Sequence, residues 1–327
     1  MERKNTLDYA IVVIGGSAGA LSGLKRLVSD LPPDIPAAIF VVTHVPADSV
    51  SAMPHILSRS GPLFASHAID GAPVSARRII VAPPNYHLVL ERGVMRVVDW
   101  ARENNQRPAI DVLFRSAATA YGDLVCGVLL SGTLDDGVAG LRAIRNGGGC
   151  TIVQDPADAL FSDMPRNAIA AGAVEETATT EDLGAAVTSA VANIIKSASG
   201  NPVPEAAHDE RRVGEPSVFT CPECGGTLWE SDEDGNPRFR CRTGHAYNVQ
   251  TIMSAQHDNL EASLWTALRI LEERIDFFRR MARRAADRGD RQTADRYNRQ
   301  VERHQNYHAR ITQSLADVVN QRRSTAS

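Results

Sequence analysis

Two groups of residues in this sequence carry types and spacings that do chemistry. Ser17 stands in Gly15-x-Ser17-x-Gly19, just after the apolar run Ile11–Ile14. A serine on a strand-to-helix turn presents its hydroxyl at the end of a sheet. The unpaired N–H groups of the first helical turn lie beside it, where they hold an oxyanion. His44 follows a second apolar run, Ala37–Val42, and Asp135-Asp136 follow another, Leu124–Leu130. An imidazole beside the serine takes its proton, while a buried carboxylate fixes the tautomer and stabilises the imidazolium formed. On spacing alone, either aspartate suits that role. The second group is Cys221-x-x-Cys224 with Cys241-x-x-x-His245. Three thiolates and an imidazole close a tetrahedral site with no position left for water, so the expected ion is structural, and zinc is the metal that this donor set selects. No cofactor is expected for catalysis.

Each residue also has a plainer role to weigh. Ser17 suits a helix N-cap, as do Asp135 and Asp136, and histidine is common at strand ends. A dinucleotide fingerprint is excluded, because Ser17 and Ala20 stand where that motif needs glycine. An α/β-hydrolase elbow comes after several strands and its acid precedes the histidine, whereas here the motif opens the chain. A redox C-x-x-C needs its own βαβ setting, which is not visible around Cys221. The joint placement of Ser17, His44 and Asp135-Asp136 favours catalysis.

The elements that must position these residues alternate. Apolar runs at Ile11–Ile14, Ala37–Val42, Arg78–Ala82, Leu124–Leu130 and Cys150–Val153 read as strands buried on both faces. Helical patterns fall between them: Leu21, Leu24, Leu27 and Val28, then Ser49–Ser58, Ile110–Tyr121 and Gly137–Asn146. This is the pattern of an α/β fold with a doubly wound, mainly parallel sheet. Ligands of such sheets bind beyond the carboxyl ends of the strands, where Ser17, His44 and Asp135-Asp136 fall. Cys126 and Cys150 lie inside strand patterns and read as small core residues.

Length and composition narrow the class. The 327 residues, 43% of them hydrophobic, suffice for a large core and two domains. A net charge of −4 supplies no basic field, so nucleic acid is not an expected partner. No apolar run approaches the roughly twenty residues of a membrane span, and Met1–Asn5 lacks the apolar core of a signal peptide. The expected location is the cytoplasm, in keeping with an odd number of cysteines, three of them at metal-site spacing.

The stretches Ile14-Gly15-Gly16-Ser17-Ala18-Gly19, Thr43-His44-Val45-Pro46, Val81-Ala82-Pro83-Pro84-Asn85-Tyr86-His87, Asp111-Val112-Leu113-Phe114-Arg115-Ser116, Ser131-Gly132-Thr133-Leu134-Asp135-Asp136-Gly137 and Met164-Pro165-Arg166-Asn167-Ala168 resemble, in order, the catalytic domain of the chemotaxis protein-glutamate methylesterase family, CheB. The resemblance runs through the stretch up to Ile195. It implies Ser17 as nucleophile, His44 as general base and Asp136 as orienting acid, since the family's acid directly precedes the glycine. The reaction it implies is hydrolysis of glutamyl methyl esters on receptor helices, often with deamidation of glutamine. Where the family usually has Thr or Ser after the nucleophile and Met in the acid loop, this chain has Ala18 and Thr133, so the oxyanion pocket is expected to differ in detail. The familiar enzyme carries a receiver domain ahead of the esterase; with the first strand beginning near Ala10, no attached receiver is expected. The substrate is then a methylated chemoreceptor or another signalling protein. The rival reading is a binding or regulatory protein that keeps the fold without turnover, which the intact Ser17, His44 and Asp136 argue against.

Beyond the esterase-like domain at residues 1–196, the stretch 197–217 is rich in Ser, Pro, Glu and Ala and is expected to be a flexible linker. Residues 218–250 form the expected zinc ribbon, with a hairpin of Thr227–Glu230 and Arg238–Arg240. The sheet domain has its own core and is expected to work without this neighbour. In 251–327, Ser254–Arg284 and Arg291–Val319 read as an antiparallel helical hairpin broken at Arg288-Gly289-Asp290. Leu260, Leu264, Leu268, Leu271, Ile275, Phe278 and Met281 form one stripe; Tyr297, Val301, His304, Ile311, Leu315 and Val318 form part of another. Two helices alone bury little core, which suggests either an arm for homodimerisation or partner binding or simple packing on the ribbon or the esterase-like domain.

Overall fold

A computed structural model describes residues 8–45, 51–197, 214–233 and 236–325. The first part runs β1 (Ala10–Gly16), α1 (Ala20–Asp30), β2 (Ala37–Thr43), α2 (Met53–Ser60), β3 (Phe64–His67), β4 (Arg78–Val81), β5 (His87–Glu91), β6 (Val94–Val98), α3 (Ile110–Tyr121), β7 (Val125–Leu129), α4 (Val138–Asn146), β8 (Cys150–Gln154), α5 (Asp163–Ala170), β9 (Glu176–Ala178) and α6 (Leu183–Ser197).

The main sheet has the order β3-β4-β2-β1-β7-β8-β9, and every neighbouring pair is parallel. All of β1 is buried, as a central strand covered by helices on both faces must be. Helix α1 packs with α2 and α6, while α3 packs with α4 and with the β5–β6 hairpin. Both α3 and α6 touch β1; α1 crosses from β1 to β2 and α4 from β7 to β8, and the reversal of strand order at β1 sends those right-handed crossovers to opposite faces. On α1 the buried stripe is Ala20, Gly23, Leu24, Leu27 and Val28; Leu21, expected on it, is 43% exposed because it points away from the sheet.

The doubly wound sheet is as the apolar runs predict. Strands β3 and β9, the β5–β6 hairpin and helices α5 and α6 are additions to that reading. The Ser49–Ser58 helix is observed as Met53–Ser60, and its first expected residues lie outside the described ones.

The ribbon is an antiparallel sheet, β10 (Glu215–Thr220), β11 (Thr227–Glu233), β12 (Asn236–Cys241) and β13 (Ala246–Asn248), paired in that order. Strand β10 begins inside the stretch read as linker. The ribbon core is small: Cys221, Leu228, Phe239, Cys241, Tyr247 and Ile252, with Phe219 against it. The chain divides into two compact units, Met1–Ile252 and Met253–Ser327. The ribbon thus shares a unit with the main sheet, a difference from the expected detachment whose cause is the set of long-range polar contacts described below.

Helices α7 (Val249–Asp287) and α8 (Arg291–Thr325) meet at a turn where Gly289 has φ 77° and Asp290 Oδ1 accepts the Thr293 N–H, 3.0 Å away. Leu268, Ile275, Ala282 and Ala285 of α7 and Ala294, His304 and Leu315 of α8 are buried. Phe278 stacks on Tyr297, and His304 Nε2 accepts from Arg274 Nε at 3.0 Å, giving that histidine a place in the seam. Among the described residues, no helix is long and apolar enough to cross a membrane.

Candidate active site and metal cluster

The sheet reverses its winding at β1, and the crevice at such a point is where open α/β sheets bind ligands. Three loops meet there. The Ser17 N–H donates to Ser131 O at 2.9 Å, and the His44 N–H donates to Gly16 O at 3.3 Å. Backbone bonds therefore tie together the turns after β1, β2 and β7. Gly19 completes the tight turn into α1 with φ 75°; a Cβ there would lie 2.8 Å from Leu160 Cβ and from Ser131 Oγ. Gly132 lets the β7 loop approach, since its Cβ would lie 3.0 Å from that of Ser17.

On this frame His44 Nδ1 is 2.9 Å from Ser17 Oγ, and His44 Nε2 is 2.8 Å from Asp136 Oδ2. With its proton on Nε2 given to Asp136, the imidazole keeps the Nδ1 lone pair for the Ser17 hydroxyl. The serine-protease template uses the two nitrogens the other way round, but each still has one role. Asp136 is 2% exposed. Its Oδ2 also accepts the Ile110 N–H at 2.8 Å; its Oδ1 accepts the Asp111 N–H at 3.1 Å and Asn104 Nδ2 at 2.9 Å. Two of these donors are the first amides of α3, whose N-terminus favours an anion. Burial alone would raise the Asp136 pKa, but the His44 hydrogen bond and charge, the Ile110 amide and Asn104 together hold it below the usual aspartate value.

Asp135 faces elsewhere. Its Oδ1 is 3.3 Å from the Thr251 hydroxyl, and its pKa is pushed up to about 7 by burial, then by Asp111 and Asp136. Asp155, also beyond a strand end, accepts the Ala157 N–H at 2.8 Å.

Sequence reasoning assigned no role to three residues that build this site. Asp111, fully buried, accepts the amides of Gly137 and Gly140 at 3.0 and 2.7 Å, so it anchors the start of α4 and the acid loop. Burial and the Asp136 charge raise its pKa to about 6. Asn104 donates to both Asp111 and Asp136. His87 fixes the loop that carries Asn104, with Nε2 on Ala101 O at 3.1 Å and Nδ1 accepting the Ala109 N–H at 3.2 Å. Asp111 and His87 lie in stretches quoted above; for Asn104 the one signal is an Asn-Asn pair, a residue type that tolerates the left-handed backbone observed there.

In the ribbon, the ligand atoms of Cys221, Cys224, Cys241 and His245 all lie within 4.8 Å of one another, a group that can hold a metal ion. Cys224 Sγ and Cys241 Sγ are 3.6 Å apart, and His245 Nδ1 is 3.7 and 3.5 Å from the sulfurs of Cys221 and Cys241. His245 turns Nε2 to Glu223 Oε2 at 3.1 Å, a carboxylate behind an imidazole of the kind that orients metal ligands.

Residues 12–187 match the family model described as CheB methylesterase. The protein-glutamate methylesterase/protein-glutamine glutaminase 2 of Anaeromyxobacter dehalogenans is 41% identical over 165 residues, 50% of this chain and 48% of that protein. Its namesake in Rhodospirillum rubrum is 36% identical over 171 residues, 51% of this chain and 47% of that protein. The chain thus spans about half the length of these two relatives. The crystal structure of the Thermotoga maritima CheB methylesterase catalytic domain superposes with a TM-score of 0.55 at 28% identity, covering 56% of this chain and 99% of that one.

Proposed function

The chain belongs to the CheB methylesterase family, and from that premise we propose that it is a serine hydrolase cleaving glutamyl methyl esters on a methylated chemoreceptor or a related signalling protein, with deamidation of glutamine as its second activity. The supporting observation is the unbroken run of hydrogen bonds from Ser17 through His44 to Asp136. Ser17 Oγ attacks the ester carbonyl as its proton passes to His44 Nδ1, and Asp136 stabilises the imidazolium. The amides of Ala18 and Gly19, just before α1, have no acceptor among the described residues and suit the oxyanion. His44 then hands the proton to the departing methoxide. Water, activated by the same nitrogen, hydrolyses the acyl-serine to leave a free glutamate side chain and the original hydroxyl. With a glutamine side chain the same steps release ammonia.

In the ribbon, the cluster suits zinc held by Cys221, Cys224, Cys241 and His245. A tetrahedral ion with sulfur bonds of about 2.3 Å sets its sulfurs about 3.8 Å apart, close to the 3.6 Å between Cys224 and Cys241. Four protein donors make the ion structural; its chemistry is to fold the ribbon. The absence of a spanning helix among the described residues fits a cytoplasmic enzyme, and the helical hairpin suits a homodimerisation arm, which sedimentation of the chain with and without it tests.

The function itself is tested by methanol release from a methylated receptor fragment. Ser17→Ala should abolish release and leave the fold intact; an unchanged rate returns the chain to the reading of a binding protein without turnover.

A further inference from the structure

The acid of the proposed triad is held by a residue that the ribbon holds in turn. Asn104 is 1% exposed, and its side-chain nitrogen donates to Asp136 Oδ1 and to Asp111 Oδ2, each at 2.9 Å. Its Oδ1 accepts the Asn248 N–H at 3.2 Å and lies 3.3 Å from the Thr251 hydroxyl. Asn248 and Thr251 form the corner between β13 and α7. An amide turned over would point its oxygen at two carboxylates. Donors on the ribbon side and acceptors on the esterase side leave it one orientation.

The backbone carries the same link. The Asn104 N–H donates to Ala246 O at 2.8 Å, and the Ala246 N–H donates to Arg102 O at 3.3 Å, so residues 102–104 run beside β13. Asn104 and Asn105 have φ of 53° and 61°, a conformation that surrounding contacts must maintain. Glu103, just before them, is buried and pairs with Arg115 of the esterase part and Arg238 of β12. The corner also reaches α5, where Asn167 Nδ2 donates to Gln250 Oε1 at 2.9 Å.

We propose that the metal ribbon is a working part of the esterase site: Asn248 and Thr251 fix Asn104, and Asn104 is the positioning residue that orients Asp136 and, through it, His44. This rests on the reading of Ser17, His44 and Asp136 as the triad. Without the corner, the Asn104 amide turns to water and the paired carboxylates lose their shared donor. Asp136 then keeps only the Ile110 and Asp111 amides, and the acceptor of the imidazole is held less firmly. Turnover depends on a folded ribbon even for a substrate too small to touch it.

The test uses the full chain, p-nitrophenyl acetate as substrate and a fluorophosphonate that labels an activated serine. Thr251→Val removes the hydroxyl and nearly keeps the shape. It should lower kcat and the labelling rate by about three- to tenfold, the worth of one neutral hydrogen bond, with KM unmoved and the chain still folded at a Tm lowered by only a few degrees; Thr251→Ser should restore kcat and labelling. Asn104→Ala should cost about a hundredfold, the scale of a small misplacement of catalytic groups. Stripping the metal from the wild-type chain should slow labelling at least as much as Thr251→Val does, and added zinc should reverse it. Folded Thr251→Val and Asn104→Ala chains that label at the wild-type rate overturn the proposal. So does a metal-stripped chain whose ribbon has unfolded and which still labels fully. Labelling that survives Ser17→Ala, by contrast, overturns the triad reading itself and this inference with it.

Discussion

Two adjacent aspartates sit in the acid loop, and their surroundings shift their pKa values in opposite directions. Asp136 is held ionised by His44, the first amides of α3 and Asn104, whereas Asp135 is pushed up to about 7. Asp136→Asn would offer an N–H to His44 Nε2 and drive the ring proton to Nδ1, which then cannot accept from Ser17. The expected loss is about 10⁴-fold in kcat, the size of the corresponding change in a serine-protease triad. Asp135→Asn should change the rate little but alter the pH dependence of stability. Because the folded chain binds the Asp135 proton more tightly than the unfolded chain does, that group's contribution is present below about pH 4 and is lost as pH rises to about 7. An amide has no proton to lose, so the Tm advantage of Asp135→Asn over wild type should grow from pH 5 to pH 8; an advantage that shrinks over that range contradicts the assignment. That Ser17, His44 and an aspartate gather was legible in the sequence, because each follows a strand that ends at the same edge of the sheet. Asn104 was not legible. It comes from an irregular loop, and its partners lie 32 residues away at Asp136 and 144 residues away at Asn248, separations that no local pattern records.

At the scale of elements, what was legible follows from burial. Strands β1, β2, β4, β7 and β8 are covered on both faces and so are mainly apolar runs, with polar residues confined to strand ends apart from Thr151 in β8. Strand β3 is Phe-Ala-Ser-His at the sheet edge, with Phe64 61% exposed, and β9 is only Glu-Thr-Ala. Edge strands this short and polar carry no such run. The β5–β6 hairpin packs on α3 rather than joining the main sheet, so it also escapes that criterion. The element on which the site depends most is the turn from β1 to α1. Gly19→Ala would place a methyl in the left-handed region and 2.8 Å from both Leu160 Cβ and Ser131 Oγ. A strain of about 1–2 kcal/mol is expected, together with displacement of Ser17. Thermal unfolding should show a lower Tm and ester cleavage a lower kcat; a chain unchanged in both would mean that the turn relaxes without moving the serine.

At the scale of the molecule, the change from the sequence reading concerns independence. A Ser- and Pro-rich stretch suggested a ribbon on a tether. The described residues instead show the ribbon side chain Arg238 on Glu103 across 135 residues of sequence, and Thr251 beside Asp135. Composition reports where a chain lacks a core, not where its ends return. Two shortened chains separate the consequences. A chain stopped after Leu260 keeps the ribbon, Asn248, Thr251 and the first turns of α7, and it should hydrolyse p-nitrophenyl acetate at the full-length rate. A chain stopped after Ser197 keeps the main sheet with its buried core, so it should fold, yet Asn104 loses both donors to its side-chain oxygen and Glu103 loses Arg238. It should cleave the ester at about a hundredth of the full rate or less, with KM little changed, because the loss is in alignment rather than in binding. Circular dichroism and a cooperative melt establish that the shorter chain is folded. Equal rates for the two chains would show that the sheet alone aligns its triad, and the ribbon would then serve some purpose other than catalysis.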